Sequence, residues 1–343
     1  MERILVTGGS GFLGLHIIDQ LLKNKYQVIT TLRNLDKQAE VLKTLTDQHT
    51  PDLKNLSFVE ANLMDDHNWF EAMNSCDVVM SVASPVFFGK ITNESDALKP
   101  AVNGIQRILK FANLAKVPQV IMTSNFGAVG FSKVVGSNSV TKESDWTDEH
   151  AIGLSIYEKS KLLAEKAAWQ YIEQPNIHIK LTTINPVAIL GSSFNNHVSG
   201  SFNLLQDIIS GKTKRIPPIE LNVIDVSDVA RLHVLAIKNS KAYNQRFIAT
   251  APGQISFQEI ANLITNQRPE ISHKITDKSL SKLVINLGAF FGNAQAREGK
   301  LLMYMNRNVS GEKSKELLNF TPQFTAEQAV LNAVDSLIKF KLT

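Results

Sequence analysis

Cysteine occurs once, at Cys76, so the chain cannot close an internal disulfide, and no Cys or His cluster has metal-ligand spacing. A reducing, cytoplasmic setting and no metal are expected. Glycine and proline are scarce as well, at 18 and 11 of 343 residues, which argues against low-complexity or disordered tracts. No apolar run reaches the roughly 18 residues of a membrane span. The stretch 283–291 comes nearest, and Asn286 and Gly288 interrupt it. Charge of one sign never accumulates: the net +4 arises from 36 basic and 32 acidic residues scattered along the chain. The densest basic run, Lys212 to Arg215, is too short for a nucleic-acid or membrane footprint. At the amino terminus Met1-Glu2-Arg3 leads through Ile4-Leu5-Val6 straight into glycines, so no signal peptide is expected.

What is present is enough chain for one two-lobed domain or two modest ones. Through residue 185 short apolar runs alternate with helical periods. Strands are expected at 4–7, 27–32, 56–60, 78–82, 120–124 and 179–184. Helices are expected at 12–23 and 36–46, around Trp69, and at 105–115 and 157–171. That order implies an α/β fold with a parallel sheet wound on both faces. After Pro186 the rhythm breaks: a turn-rich stretch, a helix at 202–210, the stiff Ile216-Pro217-Pro218, a strand at 223–226, then helices ending in an amphipathic one at 325–340. Residues 1–186 with about 216–250 are therefore assigned to a nucleotide-binding domain. Residues 187–215 and 251–343 are assigned to a smaller, mostly helical substrate lobe.

The first strand runs into Thr7-Gly8-Gly9-Ser10-Gly11-Phe12-Leu13-Gly14, with glycines spaced Gly-x-x-Gly-x-x-Gly. Gly8 permits a tight turn, Gly11 admits a pyrophosphate to backbone amides, and Gly14 lets the helix pack close to the strand. Placed between a terminal strand and an amphipathic helix, this is the dinucleotide signature of a Rossmann fold. The second strand ends in Arg33 rather than in the acid that would hold a ribose 2′-hydroxyl. A planar cation there, with Lys37 one turn on, suits a 2′-phosphate and hence NADPH.

Tyr157 and Lys161 stand at i and i+4 of one helix, on one face. A nearby ammonium favours the phenolate and makes the tyrosine a better proton donor near neutral pH, as carbonyl reduction requires. With five tyrosines in the chain the pair alone is weak evidence. Its position before the sixth strand, in the half facing the glycine loop, strengthens it.

These features, with Ser81-Val82-Ala83-Ser84-Pro85, Val102-Asn103-Gly104, 123–130, Ala164-Glu165, Asn185-Pro186 and Asp225 to Ala230 with His233, resemble the extended short-chain dehydrogenases/reductases. The branch is that of dihydroflavonol and cinnamoyl-CoA reductases and related aldehyde or ketone reductases, over nearly the full length. The resemblance implies that Tyr157 donates the proton and that Lys161 binds the nicotinamide ribose and lowers the tyrosine pKa. It implies further that Ala83, Ser84 and Pro85 line the cofactor groove with Thr123, that Pro186 approaches the nicotinamide, and that Asn62-Leu63 meets the adenine. Thr123-Ser124-Asn125 departs from the usual Thr-Ser-Ser, whose last serine bonds the substrate carbonyl. The Asn125 amide can donate to a developing oxyanion, and Ser124 is the alternative if the strand end bends.

His233 is read as packing or hydrogen bonding, and Asn103 as a water-ordering or helix-bridging residue. Phe87, Phe88, Phe126, Phe131 and Phe202 line either a pocket or the packing between lobes. The expected activity is reversible NADPH-dependent reduction of an aldehyde or ketone, by a monomer or homodimer. A sugar-nucleotide epimerase or dehydratase retaining NAD is the enzymatic alternative; a non-catalytic NADP-sensing protein is the other.

Overall fold

The computed structural model describes residues 1–84, 94–132 and 139–343. Strands β1 (Arg3–Thr7), β2 (Gln27–Leu32), β3 (Leu56–Glu60), β4 (Val78–Ser81), β5 (Gln119–Thr123) and β6 (Lys180–Pro186) follow the apolar runs within a residue or two. Short β7 (Ala188–Leu190), β8 (Glu220–Leu221) and β9 (Val223–Asp225) come next, then β10 (Gln245–Ala249) and β11 (Ile255–Ser256). The main sheet has seven strands in the order β10-β6-β5-β4-β1-β2-β3, every pairing parallel. The chain order reverses between β1 and β4, which opens a crevice at their carboxyl ends.

Helices α1 (Phe12–Lys23), α2 (Gln38–Asp47), α3 (Trp69–Met73), α4 (Glu94–Leu114), α5 (Ile156–Ile172) and α6 (Phe202–Ile209) belong to the first two thirds. Then come α7 (Val226–Leu235), α8 (Phe257–Gln267), α9 (Lys282–Phe290), α10 (Ala294–Tyr304), α11 (Glu312–Leu318) and α12 (Ala326–Lys339). Two apolar layers result. Leu15, Ile18 and Leu22 of α1 share one with Val229 and Leu232 of α7, alternate residues of the sheet and α12. Ile108 and Leu109 of α4 share the other with Trp69 of α3 and Ala164 and Ala168 of α5.

Two differences from the sequence expectation matter. The strand expected at 223–226 forms as β9, which pairs with β7 outside the main sheet, and Asp225 ends it by accepting a hydrogen bond from Ser227 N at 2.8 Å and capping α7. The seventh strand is β10, whose Arg246 hides its apolar character. Helix α4 also starts eleven residues earlier than 105, at Glu94, and runs through Pro100, whose missing N–H removes one backbone bond and whose ring crowds the carbonyl one turn back.

Candidate active site

Thr7 ends β1 with its hydroxyl buried, accepting Val82 N and Ala83 N at 2.9 Å each. That stitch holds the segment after β4 against the glycine loop. Gly8 has φ +75°, and a Cβ on Gly14 would lie 2.4 Å from the Gly8 carbonyl oxygen, so both are steric requirements of the turn. Gly11 caps α1 without a side-chain bond, and no acid occupies the first turn. The Phe12, Leu13 and Gly14 amides are thus the unpaired donors a helix start offers an anion. Phe12 and Leu13 send their side chains into the core, 6% and 8% exposed.

Arg33 and Lys37 are exposed beyond β2, and neither has an ion pair among the described residues. His197, from the loop before α6, shares this corner. Burial, then the charge of Lys37, push its pKa down, against an opposing pull from Glu40, with a smaller downward push from Arg33. An uncapped helix start and two free cations fit a phosphorylated dinucleotide. His197 is a neighbour that spacing alone cannot find, since it lies far along the chain in a turn-rich loop.

At the carboxyl ends of β4 and β5 one crevice brings together Leu63, Ala83, Ser84, Thr123 and Lys161. Asn62 folds back, accepting from Met64 N at 3.1 Å. Pro186 is buried at the end of β6. Pro85, Phe87 and Phe88 lie outside the described residues. Phe126, Phe131 and Phe202 pack in the core, 6%, 9% and 0% exposed. Asn103 is exposed on α4. His233 is buried and pushed down to about 4 by desolvation. Its neutral ring spans Val229 O at 2.8 Å and the Thr123 hydroxyl at 2.7 Å, a structural bond.

A capping box fixes the start of α5: Ser155 Oγ accepts Glu158 N at 3.3 Å and Glu158 Oε2 accepts Ser155 N at 3.1 Å. Tyr157 therefore sits in a pinned first turn, with Lys161 one turn on. Lys161 donates to Ser84 Oγ at 2.7 Å, and desolvation pulls its pKa down to about 8. Tyr157 is 54% exposed, with the Lys161 ammonium 5.2 Å from its ring centre. The expected lowering of the tyrosine pKa is not what this geometry gives. Crowding by protein atoms, then the Glu158 carboxylate, push it up to about 12, while Lys161 gives one of its three donors to Ser84. Water at the exposed half of the ring offsets part of that rise.

Ser124 and Asn125 part company. Ser124 is buried, its hydroxyl donating to Glu165 Oε2 at 2.5 Å, because it follows the inward face of β5. Asn125 Oδ1 accepts Gly127 N at 2.7 Å, capping a 3-10 turn at Phe126–Ala128. With its oxygen taken, the amide nitrogen is the group Asn125 has left to donate.

Residues 5–277 match the model of the 3-beta hydroxysteroid dehydrogenase/isomerase family. The chain belongs to that family. Its place is among the reductases of the extended short-chain dehydrogenases, as the motifs imply, and it is an oxidoreductase. An anthocyanidin reductase ((2S)-flavan-3-ol-forming) of Vitis vinifera is 33% identical over 300 residues, 82% of this chain and 86% of the relative. The NADPH-dependent methylglyoxal reductase GRE2 of Saccharomyces cerevisiae is 28% identical over 346 residues, 92% and 98% of the two chains. The crystal structure of Gre2 from Candida albicans in complex with NADPH superposes with a TM-score of 0.77 at 27% identity, over 99% of each chain. The Rossmann-like fold is thus shared with that reductase over nearly the whole chain. No described helix of this family member is long and apolar enough to cross a membrane.

Proposed function

We propose that the protein is an NADPH-dependent carbonyl reductase acting on a small aldehyde or ketone, with Tyr157 as proton donor. The observation that carries this reading is the juxtaposition of Lys161 and Ser84 in the crevice beside the glycine loop, with Tyr157 half-open one turn away on the same helix face. The glycine-loop amides hold the pyrophosphate, and Arg33 with Lys37 favours a 2′-phosphate over a hydroxyl. Lys161 and Ser84 would hold the nicotinamide ribose, and Pro186 would face the nicotinamide. The nicotinamide, when bound, supplies hydride to the carbonyl carbon.

Tyr157 Oη keeps its proton at neutral pH and delivers it to the carbonyl oxygen as charge develops there. Raised to about 12, its pKa still lies below that of the alkoxide the reduction creates, so the proton transfer runs downhill. The Asn125 amide nitrogen donates to the same oxygen. Substrate enters against the lobe assigned to 187–215 and 251–343. A reducing cytoplasmic setting belongs to the same reading, carried by the lone Cys76, whose thiol burial pushes up to about 11. NADPH oxidation with a panel of aldehydes, ketones and diketones is the test. Turnover on at least one class is expected, and none above background across the panel would refute the reading.

A further inference from the structure

Glu165 stands one helical turn beyond Lys161 and two beyond Tyr157, so the three share a face of α5. Its side chain is 0% exposed. Oε1 accepts Arg246 Nε at 2.7 Å, Thr183 Oγ1 at 2.9 Å and Trp169 Nε1 at 3.2 Å. Oε2 accepts Ser124 Oγ at 2.5 Å and Asn185 Nδ2 at 2.6 Å. Five donors saturate a carboxylate. The Asn185 amide nitrogen also donates to the Asn125 carbonyl at 3.2 Å. Arg246, stacked 3.7 Å over Trp146, ties in the Glu143 and Asp145 carbonyls at 2.6 and 2.8 Å.

A buried ion pair adds little net stability, because desolvation of both charges offsets their attraction. What this one fixes is position. Ser124, Thr183 and Asn185 come from the carboxyl ends of β5 and β6, the ends that carry Asn125 and Pro186, and the carboxylate that gathers them rides on the helix carrying Tyr157 and Lys161.

We infer that Glu165 and Asn185 are positioning residues for the carbonyl-polarising group: the Glu165 carboxylate holds the Ser124 hydroxyl inside the fold and, through Asn185, clamps the Asn125 backbone, so that the Asn125 amide faces the substrate oxygen at the level of Tyr157. Neither residue touches substrate; both act through Asn125 and α5. The inference rests on the reductase reading and on Asn125 as the donor.

Glu165→Gln would strand the buried Arg246 charge and unfold readily, so Asn185 is the better lever, because its removal leaves the Glu165–Arg246 pair intact. Purified wild type, Asn125→Ala, Asn185→Ala and the double variant are compared for kcat, KM for carbonyl substrate, KM for NADPH and melting temperature. Loss of a transition-state donor should cost Asn125→Ala about a hundredfold in kcat, and Asn185→Ala about tenfold, with KM for NADPH unchanged in both. The double variant should fall no further than Asn125→Ala, since both losses run through one group. Asn185→Ser, with a shorter donor, should lie between wild type and Asn185→Ala, and supplies the comparison if the alanine variant fails to fold. Wild-type kcat in the Asn185 variants, or losses that multiply in the double variant, would overturn the relay while leaving the reductase reading intact. An undiminished Asn125→Ala, or a wild type inactive on every carbonyl compound, would instead sink the reading beneath it.

Discussion

A lysine whose pKa is drawn down to about 8 changes charge within the working range of an enzyme. Below that value Lys161 is an ammonium that holds Ser84 and a ribose; above it the charge is gone, while Tyr157, pushed up to about 12, still carries its proton. The kcat/KM for carbonyl reduction should therefore fall as pH rises through about 8, and a profile flat from roughly pH 6 to 10 would contradict this assignment. Arg33 is the residue proposed to set the cofactor preference. Losing a charge-assisted bond worth about 1.5–3 kcal/mol, Arg33→Ala should reduce the preference for NADPH over NADH by about 10- to 100-fold, measured as the ratio of kcat/KM values. At this scale the roles proposed for Tyr157, Lys161 and Arg33 rest on spacing that the sequence displays directly. It leaves Ser124 and Asn125 open, because which of two adjacent side chains turns inward depends on Glu165, forty positions away, and on Asn185.

Elements set by local chemistry are the ones their own residues announce. Gly14 lies in the first turn of α1 under the Gly8 carbonyl, and a Cβ 2.4 Å from that oxygen must push helix and strand apart. Gly14→Ala should cost about 1–3 kcal/mol of stability in denaturant titration and weaken NADPH binding more than turnover at saturation. Ser155→Ala should cost about 1 kcal/mol by removing the cap that pins the first turn around Tyr157. The glycine spacing, the apolar runs of β1 to β6 and the capped helix α12 follow from neighbours in sequence. Strand β10 does not, since Arg246 interrupts its apolar pattern and makes sense only beside Glu165. Nor does the pairing of β9 with β7, where three-residue strands carry too little periodicity to be distinguished from a turn.

Across the whole molecule, two histidines are folded away uncharged. His16, stacked on Phe194 with ring centres 3.8 Å apart, and His233 are both pushed down to about 4, chiefly by burial. The unfolded chain takes up protons at these sites from about pH 6.5 downward while the folded chain does not, so stability falls as pH drops from about 6.5 to 4, by up to about 1.4 kcal/mol per pH unit for each histidine. Melting temperature recorded from pH 7 to about 4.5 should decline accordingly. The doubly wound architecture is readable from the alternation of periods, and the cofactor corner from the glycines and Arg33. His197, the Glu165 cluster and the inward Ser124 become visible only when distant segments meet. Most direct of all is the comparison of wild type with Tyr157→Phe for NADPH binding and for NADPH oxidation with a reactive aldehyde. Binding should persist while turnover drops by about a hundredfold or more, as removal of a positioned proton donor requires. Turnover unchanged in the phenylalanine variant would contradict the account.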